Sequence, residues 1–233
     1  MVEKAICLIS GGIDSCIAGY IAKNEGFNIY SLSFNYGQKH KKELECAKII
    51  SNKLKVKKHI IIDINLHKIG GSALFDKSLK ISKNKDILDI GKSIPNTYVP
   101  ARNTIFLSYG LAFAEVTNSN VIYIGVNSTD YSGYPDCRPE YIKAYQKMAN
   151  LATKKGIEDF FIEIKTPLIN LSKAEIIKKG LELNVPFEKT WSCYLGKNNP
   201  CGKCESCLLR LKGFKEAGFK DPLNYEFLPE WYL

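Results

Sequence analysis

Residues 5–22, AICLISGGIDSCIAGYIA, run five apolar positions into a glycine pair and then directly into a helical pattern. An apolar run that short, closed by turn residues, reads as a buried strand over Ala5–Ile9, and Ile13–Asn24 reads as the helix that follows. Ser10–Gly12 is then the loop at the carboxyl end of a strand, where open α/β sheets place their ligands. Gly11 and Gly12 let backbone approach an oxyanion, and the first amides of a helix lack partners and favour negative charge. Ser10 and Ser15 add hydroxyl donors. Asp14 runs against this pattern, because a carboxylate beside phosphate is repulsive unless it helps to hold Mg²⁺ or shapes the loop. Its plainer role is to complement the dipole of the helix N-terminus. Neither G-x-x-x-x-G-K-[ST] nor G-x-G-x-x-G is present.

The same alternation continues outward. Ile29–Phe34, Ile60–Ile64, Val121–Gly125 and Phe160–Ile164 read as further strands, separated by helical patterns at Lys39–Leu54, Arg102–Thr117 and Pro139–Lys155. The strands are apolar nearly throughout, as strands covered on both faces of a parallel sheet are. The expected fold is a doubly wound, mainly parallel, Rossmann-like α/β sheet. It should span residues 1–185, with a small segment, 186–233, packed on it. Residues 65–99 have weak periodicity and many lysines; a connection that long is a lid, a binding loop or a mobile segment.

Composition narrows the class. The 233 residues are 45% hydrophobic and 24% charged, as in a soluble globular protein. No apolar run reaches the roughly 20 residues of a membrane span, and the first one is too short for a signal peptide, so a cytoplasmic protein is expected. The net charge of +9 raises the question of nucleic acid. The densest basic block, residues 38–59, sets Leu44, Ala47, Ile50 and Leu54 on one helical face with lysines around it, as a solvated amphipathic helix does. No direct nucleic-acid partner is expected.

In residues 191–210, WSCYLGKNNPCGKCESCLLR, Cys193, Cys201, Cys204 and Cys207 follow C-x7-C-x2-C-x2-C. A two-residue gap aims two thiolates at one ion, and four close a tetrahedral structural zinc site. An iron–sulfur cluster takes the same ligands and stays open as the alternative. Disulfides suit a cytosolic chain poorly. Cys7, Cys16 and Cys46 read as small core residues.

Three further stretches carry polar chemistry. Arg102 opens the apolar helix RNTIFLSYGLAFAEV, and a cation opposing the helix dipole there calls for an anion. Residues 125–142, GVNSTDYSGYPDCRPEYI, put Asp130, Tyr134, Asp136 and Arg138 into a turn-rich loop after a strand, as a substrate-reading loop would be built. Ser172-x-x-Glu175 is a capping box, and Lys173 in its first turn can either reach a phosphate or stay in solvent.

SGGIDS, residues 10–15, resembles the pyrophosphate loop of the ATP-pyrophosphatases, enzymes that adenylate a carbonyl oxygen. With NYGQKH (35–40), YVPARN (98–103), SGYPDCRPE (132–140), TPLINLSKAEI (166–176) and the four cysteines, the order and approximate spacing are similar to the 7-cyano-7-deazaguanine synthase family from Lys4 to about Pro222. Lys39 departs from the arginine usual there. The resemblance implies an adenine-nucleotide-hydrolase-like fold and a structural zinc on the four cysteines. It also implies ATP-dependent conversion of 7-carboxy-7-deazaguanine and ammonia into the nitrile through an adenylate and an amide. ATP with Mg²⁺ would be wrapped by Leu8, Ile9, Ser10, Gly11, Gly12, Ile13, Asp14, Ser15, Cys16, Ile17 and Ala18. Ser10, Asp14, Ser15, Lys173 and Arg102 are the expected catalytic set, and Asp130, Tyr134, Asp136 and Arg138 the expected substrate set. His40 is a candidate base for ammonia or else a structural cap, and a homodimer is implied. A tRNA-modifying adenylase and a non-catalytic nucleotide-binding module are the rival readings.

Overall fold

The opening run forms β1 (Lys4–Leu8), and its alternating side chains set the two faces of the sheet. Ile6 and Leu8 point into one core with Leu32, Phe34 and Ile122; Ala5, Cys7 and Ile9 point into another with Ile29, Val121 and Tyr123. The computed structural model describes residues 2–38, 41–76, 78–83, 89–90, 93–128, 134–158, 161–196 and 198–232. Among these, β2 (Asn28–Asn35), β3 (Lys58–Asp63), β4 (Val121–Tyr123) and β5 (Glu163–Lys165) complete a parallel sheet in the order β3-β2-β1-β4-β5. The order reverses between β1 and β4, and the crevice beyond their carboxyl ends is where such a sheet accepts a ligand.

Helices cover both faces. α3 (Arg102–Thr117) and α4 (Pro139–Ala152) pack on the first core. α1 (Ile13–Asn24), α2 (Lys42–Leu54), α6 (Lys173–Glu182) and α7 (Glu205–Ala217) pack on the second. The α1 and α3 spans match their expected bounds, and Leu44, Ala47, Ile50 and Leu54 of α2 are all buried.

Three expected elements differ, and the first, the strand expected over Val121–Gly125, ends at Tyr123. The helix expected over Pro139–Lys155 breaks at Thr153, which is extended; its hydroxyl donates to the Ala149 carbonyl and accepts from Gly156 N, starting a separate α5 (Lys154–Ile157). The fifth strand lies later than Phe160–Ile164. Ile162 N donates to Asn150 Oδ1 and its carbonyl accepts from Gln146 of α4, so side chains of a helix take the groups a strand neighbour would use.

Residues after 185 share the second core, to which Phe187, Phe214 and Ala217 belong. Their anchor is Arg210 of α7, 2% exposed, whose Nε and Nη2 reach the two oxygens of Asp221 at 2.6 and 3.0 Å. The guanidinium also donates to the Thr190 hydroxyl and to the Thr190 and Phe187 carbonyls. Asp221 further accepts from Tyr225 Oη and Leu223 N. Removing one charge of a buried pair strands the other. Asp221→Asn is therefore expected to lower the unfolding free energy by about 2–3 kcal/mol, read as a lower urea midpoint at unchanged slope. A shift within about 0.5 kcal/mol would show that the pair is not what fixes the C-terminal segment.

Candidate active site

At Ile9 the chain still bonds to β2, its N–H donating to the Leu32 carbonyl and its carbonyl accepting from the Ser33 hydroxyl, and then turns into α1. The turn requires Gly11, whose φ is +90° and whose missing Cβ would lie 2.2 Å from the Glu43 carbonyl oxygen. Gly125, beyond β4, is under a similar constraint: a Cβ there would sit 2.6 Å from the backbone of Asp14 and Ser15. The two serines knit the loop together. Ser10 N donates to Ser15 Oγ, the two hydroxyls lie 2.9 Å apart, and Gly12 N donates to Ser10 Oγ.

Asp14, in the first turn of α1, is held by Lys173 Nζ at 2.7 and 2.8 Å to its two oxygens. The capping box forms as expected: Ser172 Oγ accepts from Glu175 N, and the Glu175 carboxylate accepts from Ser172 N, which puts Lys173 at the first position of α6. The lysine stem lies over Gly213 of α7, where a Cβ would come within 2.3 Å of Lys173 Cγ. Lys173 is thus buried along its stem with its ammonium at the loop.

A second cation stands across the same cavity. Arg102 bonds to the Tyr36 side chain and lies in the field of Tyr134, Asp136 and Cys137, which together raise it although burial alone would lower it. Asp136 faces away from the opening. Its Oδ2 accepts from Asn103 N, and Asn103 Nδ2 donates to the Asp136 carbonyl, so the carboxylate satisfies one of the amides that open α3. Glu43, in the first turn of α2, lines the cavity opposite; burial pushes its carboxyl up to about 7, with Arg102 pulling the other way. Burial likewise raises the Tyr36 hydroxyl and the Cys137 thiol, each to about 12.

The cavity of about 260 Å³ is lined by Leu8, Ile9, Ser10, Gly12, Ile13, Asp14 and Ser15, and by Lys173, Arg102 and Tyr134. Cys16, Ile17 and Ala18 are buried in α1, and Gly11 packs against α2; none of the four is on the cavity wall. Asp136 and Arg138 are not on its wall; the Arg138 Nε donates to the Pro135 carbonyl at the surface. Asp130, Lys39 and His40 lie outside the described residues. Glu43, Tyr36, Thr97, Trp191 and Tyr194 also line the cavity and were not singled out from sequence. Tyr36 stands in the NYGQKH segment, which was the available signal; Glu43 is one of many charges in a lysine-rich helix.

Cys193, Cys201, Cys204 and Cys207 are buried, with all four sulfurs within 4.8 Å of one another. Leu195 N and Cys201 N donate to Cys193 Sγ, and Lys203 N and Cys204 N donate to Cys201 Sγ, as amides do toward thiolates that hold a metal. The donor set fits one soft ion. Trp191 ties this cluster to the loop after β1: its N–H donates to the Gly11 carbonyl at 2.9 Å and its indole to the Cys193 carbonyl.

The family model of the queuosine biosynthesis protein QueC matches residues 4–218. This chain belongs to the QueC family. The 7-cyano-7-deazaguanine synthase of Citrifermentans bemidjiense is 53% identical over 98% of this chain and all of its own length. That of Thermoplasma volcanium is 51% identical over the whole of this chain and 95% of its own. The QueC chain is accordingly an enzyme of this class. Its fold is shared with a 4-thiouridine synthetase solved with RNA and bound ATP, at a TM-score of 0.52 and 20% identity, over 93% of this chain and 50% of that one.

Proposed function

We propose that this QueC chain converts 7-carboxy-7-deazaguanine and ammonia into 7-cyano-7-deazaguanine with ATP. The observation that carries the reading is the loop itself: a glycine-bent, serine-knit turn at the switch point of the sheet, with Lys173 delivered to it by Asp14. A carboxylate is a poor electrophile at neutral pH. Its oxygen first attacks the α-phosphorus of ATP, pyrophosphate leaves, and the resulting acyl-adenylate accepts ammonia at carbon and loses AMP. The amide oxygen is adenylated in turn by a second ATP, and loss of AMP and two protons closes the nitrile.

No enzyme nucleophile is needed, so the residues work by position and charge. The loop from Leu8 to Ala18 and the α1 amides take the phosphates, Ser10 and Ser15 hold the loop's shape, and Lys173 neutralises the departing pyrophosphate. Mg²⁺ would arrive with ATP and add positive charge there, with Asp14 the carboxylate nearest to it. Arg102 and Tyr134 serve the deazaguanine end of the cavity, and this reading leaves Asp136 the work of setting α3. Zinc is the ion we assign to the cysteines: sulfurs about 2.3 Å from one tetrahedral ion stand about 3.8 Å apart, close to the 4.0 Å between Cys201 and Cys207, whereas a four-iron cluster holds them wider. The α/β part and the cysteine segment after residue 185 would act as one unit, in a cytoplasmic homodimer. Val116 and Leu151, 83% and 80% exposed on α3 and α4, are apolar surface suited to such a contact.

The test is one incubation of the metal-replete protein with Mg-ATP, ammonium and 7-carboxy-7-deazaguanine, read by mass spectrometry. The nitrile is expected with two AMP and two pyrophosphate per molecule. Folded, metal-replete protein that yields neither nitrile nor AMP would sink the assignment.

A further inference from the structure

We propose that Glu43 and Arg102 together read the pyrimidinone edge of the deazaguanine, Glu43 accepting from N1–H and the 2-amino group and Arg102 donating to O6. The inference rests on the activity proposed above.

The two side chains come from opposite faces of the sheet, Glu43 from α2 and Arg102 from α3, and meet at the cavity beyond the strands' carboxyl ends. Glu43 is fixed by its backbone, since the first turn of α2 lies against Gly11. Arg102 is steadied by Tyr36. Glu43 lies in the field of Arg102, yet the two form no ion pair: among the described residues the Glu43 carboxylate has no hydrogen bond and no salt bridge. Opposite charges held apart on the wall of a cavity leave a gap that a ligand edge can bridge.

The edge that fits is planar, with two adjacent donors and then an acceptor. A carboxylate offers two acceptor oxygens, and a guanidinium offers donors in a flat fork. The deazaguanine edge supplies the 2-amino group, N1–H and O6 in that order. Adenine supplies one amino donor beside an acceptor, which would leave one Glu43 oxygen unsatisfied in a half-buried place. Ammonium would answer Glu43 but would be repelled by Arg102. Aromatic walls from Tyr36, Phe106 and Tyr134 suit the faces of a flat bicycle. With this edge held, the C7 substituent lies beyond O6, on the side away from Glu43.

The experiment compares 7-carboxy-7-deazaguanine with its analogue lacking the 2-amino group, in metal-replete wild type and in Glu43→Gln, with kcat and KM read from AMP release. Wild type is expected to prefer the full substrate by about 10- to 100-fold in kcat/KM, mainly through KM, and Glu43→Gln to lose most of that preference while its KM for ATP stays put. Glu43→Asp, which keeps the charge but withdraws it by one methylene, should keep part of the preference. An equal loss on both substrates in Glu43→Gln would overturn the inference, as would a loss carried by KM for ATP or for ammonium. A wild type that forms no nitrile at all is a different result: the proposed function itself then fails.

Discussion

Cys204→Ser is expected to yield protein with well under one equivalent of zinc and a melting transition that is lost or far below that of the wild type. Structural zinc sites are worth roughly 10–16 kcal/mol of apparent binding free energy, and because the site does not exist in the unfolded chain that energy is folding energy. A serine leaves three thiolates and an opening in what should be a closed tetrahedron. Position 204 adds a second cost, because Cys204 is the residue from which α7 starts. α7 carries Arg210 and Phe214 into the core, so a loosened first turn weakens the buried pair with Asp221 as well. The loss should reach the Ser10–Gly12 loop too, since Trp191 bonds at once to Gly11 and, through its indole, to Cys193. The checks are metal analysis of purified protein and thermal melting with and without added zinc. Full metal content and an unshifted melt in Cys204→Ser would mean that the four cysteines are not a structural site.

What could be read from the chain alone follows the range of the forces involved. Gly11 and Gly12 after five apolar residues, and Arg102 after Pro100, are local signals, and α1 and α3 begin where those signals put them. The cysteine spacing is local as well, and its four sulfurs do converge. Thr153 was illegible because the helical pattern runs on through it, and only its own hydroxyl capping α5 breaks the helix. α7 was hidden inside the cysteine motif, whose metal chemistry masked the helical run from Glu205. Asp136 shows the limit for the site. Its loop has the polarity of a reader of substrates, yet an orphan amide of α3, that of Asn103 some thirty residues earlier in the chain, takes the carboxylate. Glu43 shows the converse: nothing nearby in sequence marks it, and its standing comes from Gly11 and Arg102, which only the folded sheet brings near.

Lys173→Ala is expected to lower kcat/KM by about a thousandfold, close to 4 kcal/mol of transition-state stabilisation, with a melting temperature within a few degrees of the wild type. The ammonium is bound to Asp14 in the first turn of the loop's own helix. Charge gathers on the bridging oxygen as pyrophosphate leaves, and in a half-buried site a positioned cation answers it with little reorganisation. The fold should tolerate the loss, since Asp14, 24% exposed along its side chain, keeps water and the α1 amides for company. Asp14 has a separable part. In the free protein it grips Lys173 through both oxygens, so phosphate must compete for the same ammonium. Asp14→Asn removes that competitor and also the carboxylate that aims the lysine, so it is expected to cost less than Lys173→Ala, in the tens-fold range in kcat. Because both act through one ammonium, their effects should not add: the double variant should be no slower than Lys173→Ala alone. Steady-state AMP release across the four proteins decides it. If Lys173→Ala stays within threefold of wild type, the phosphate role of the lysine is wrong; if the double variant multiplies the two losses, Asp14 acts on the nucleotide or its metal rather than through Lys173.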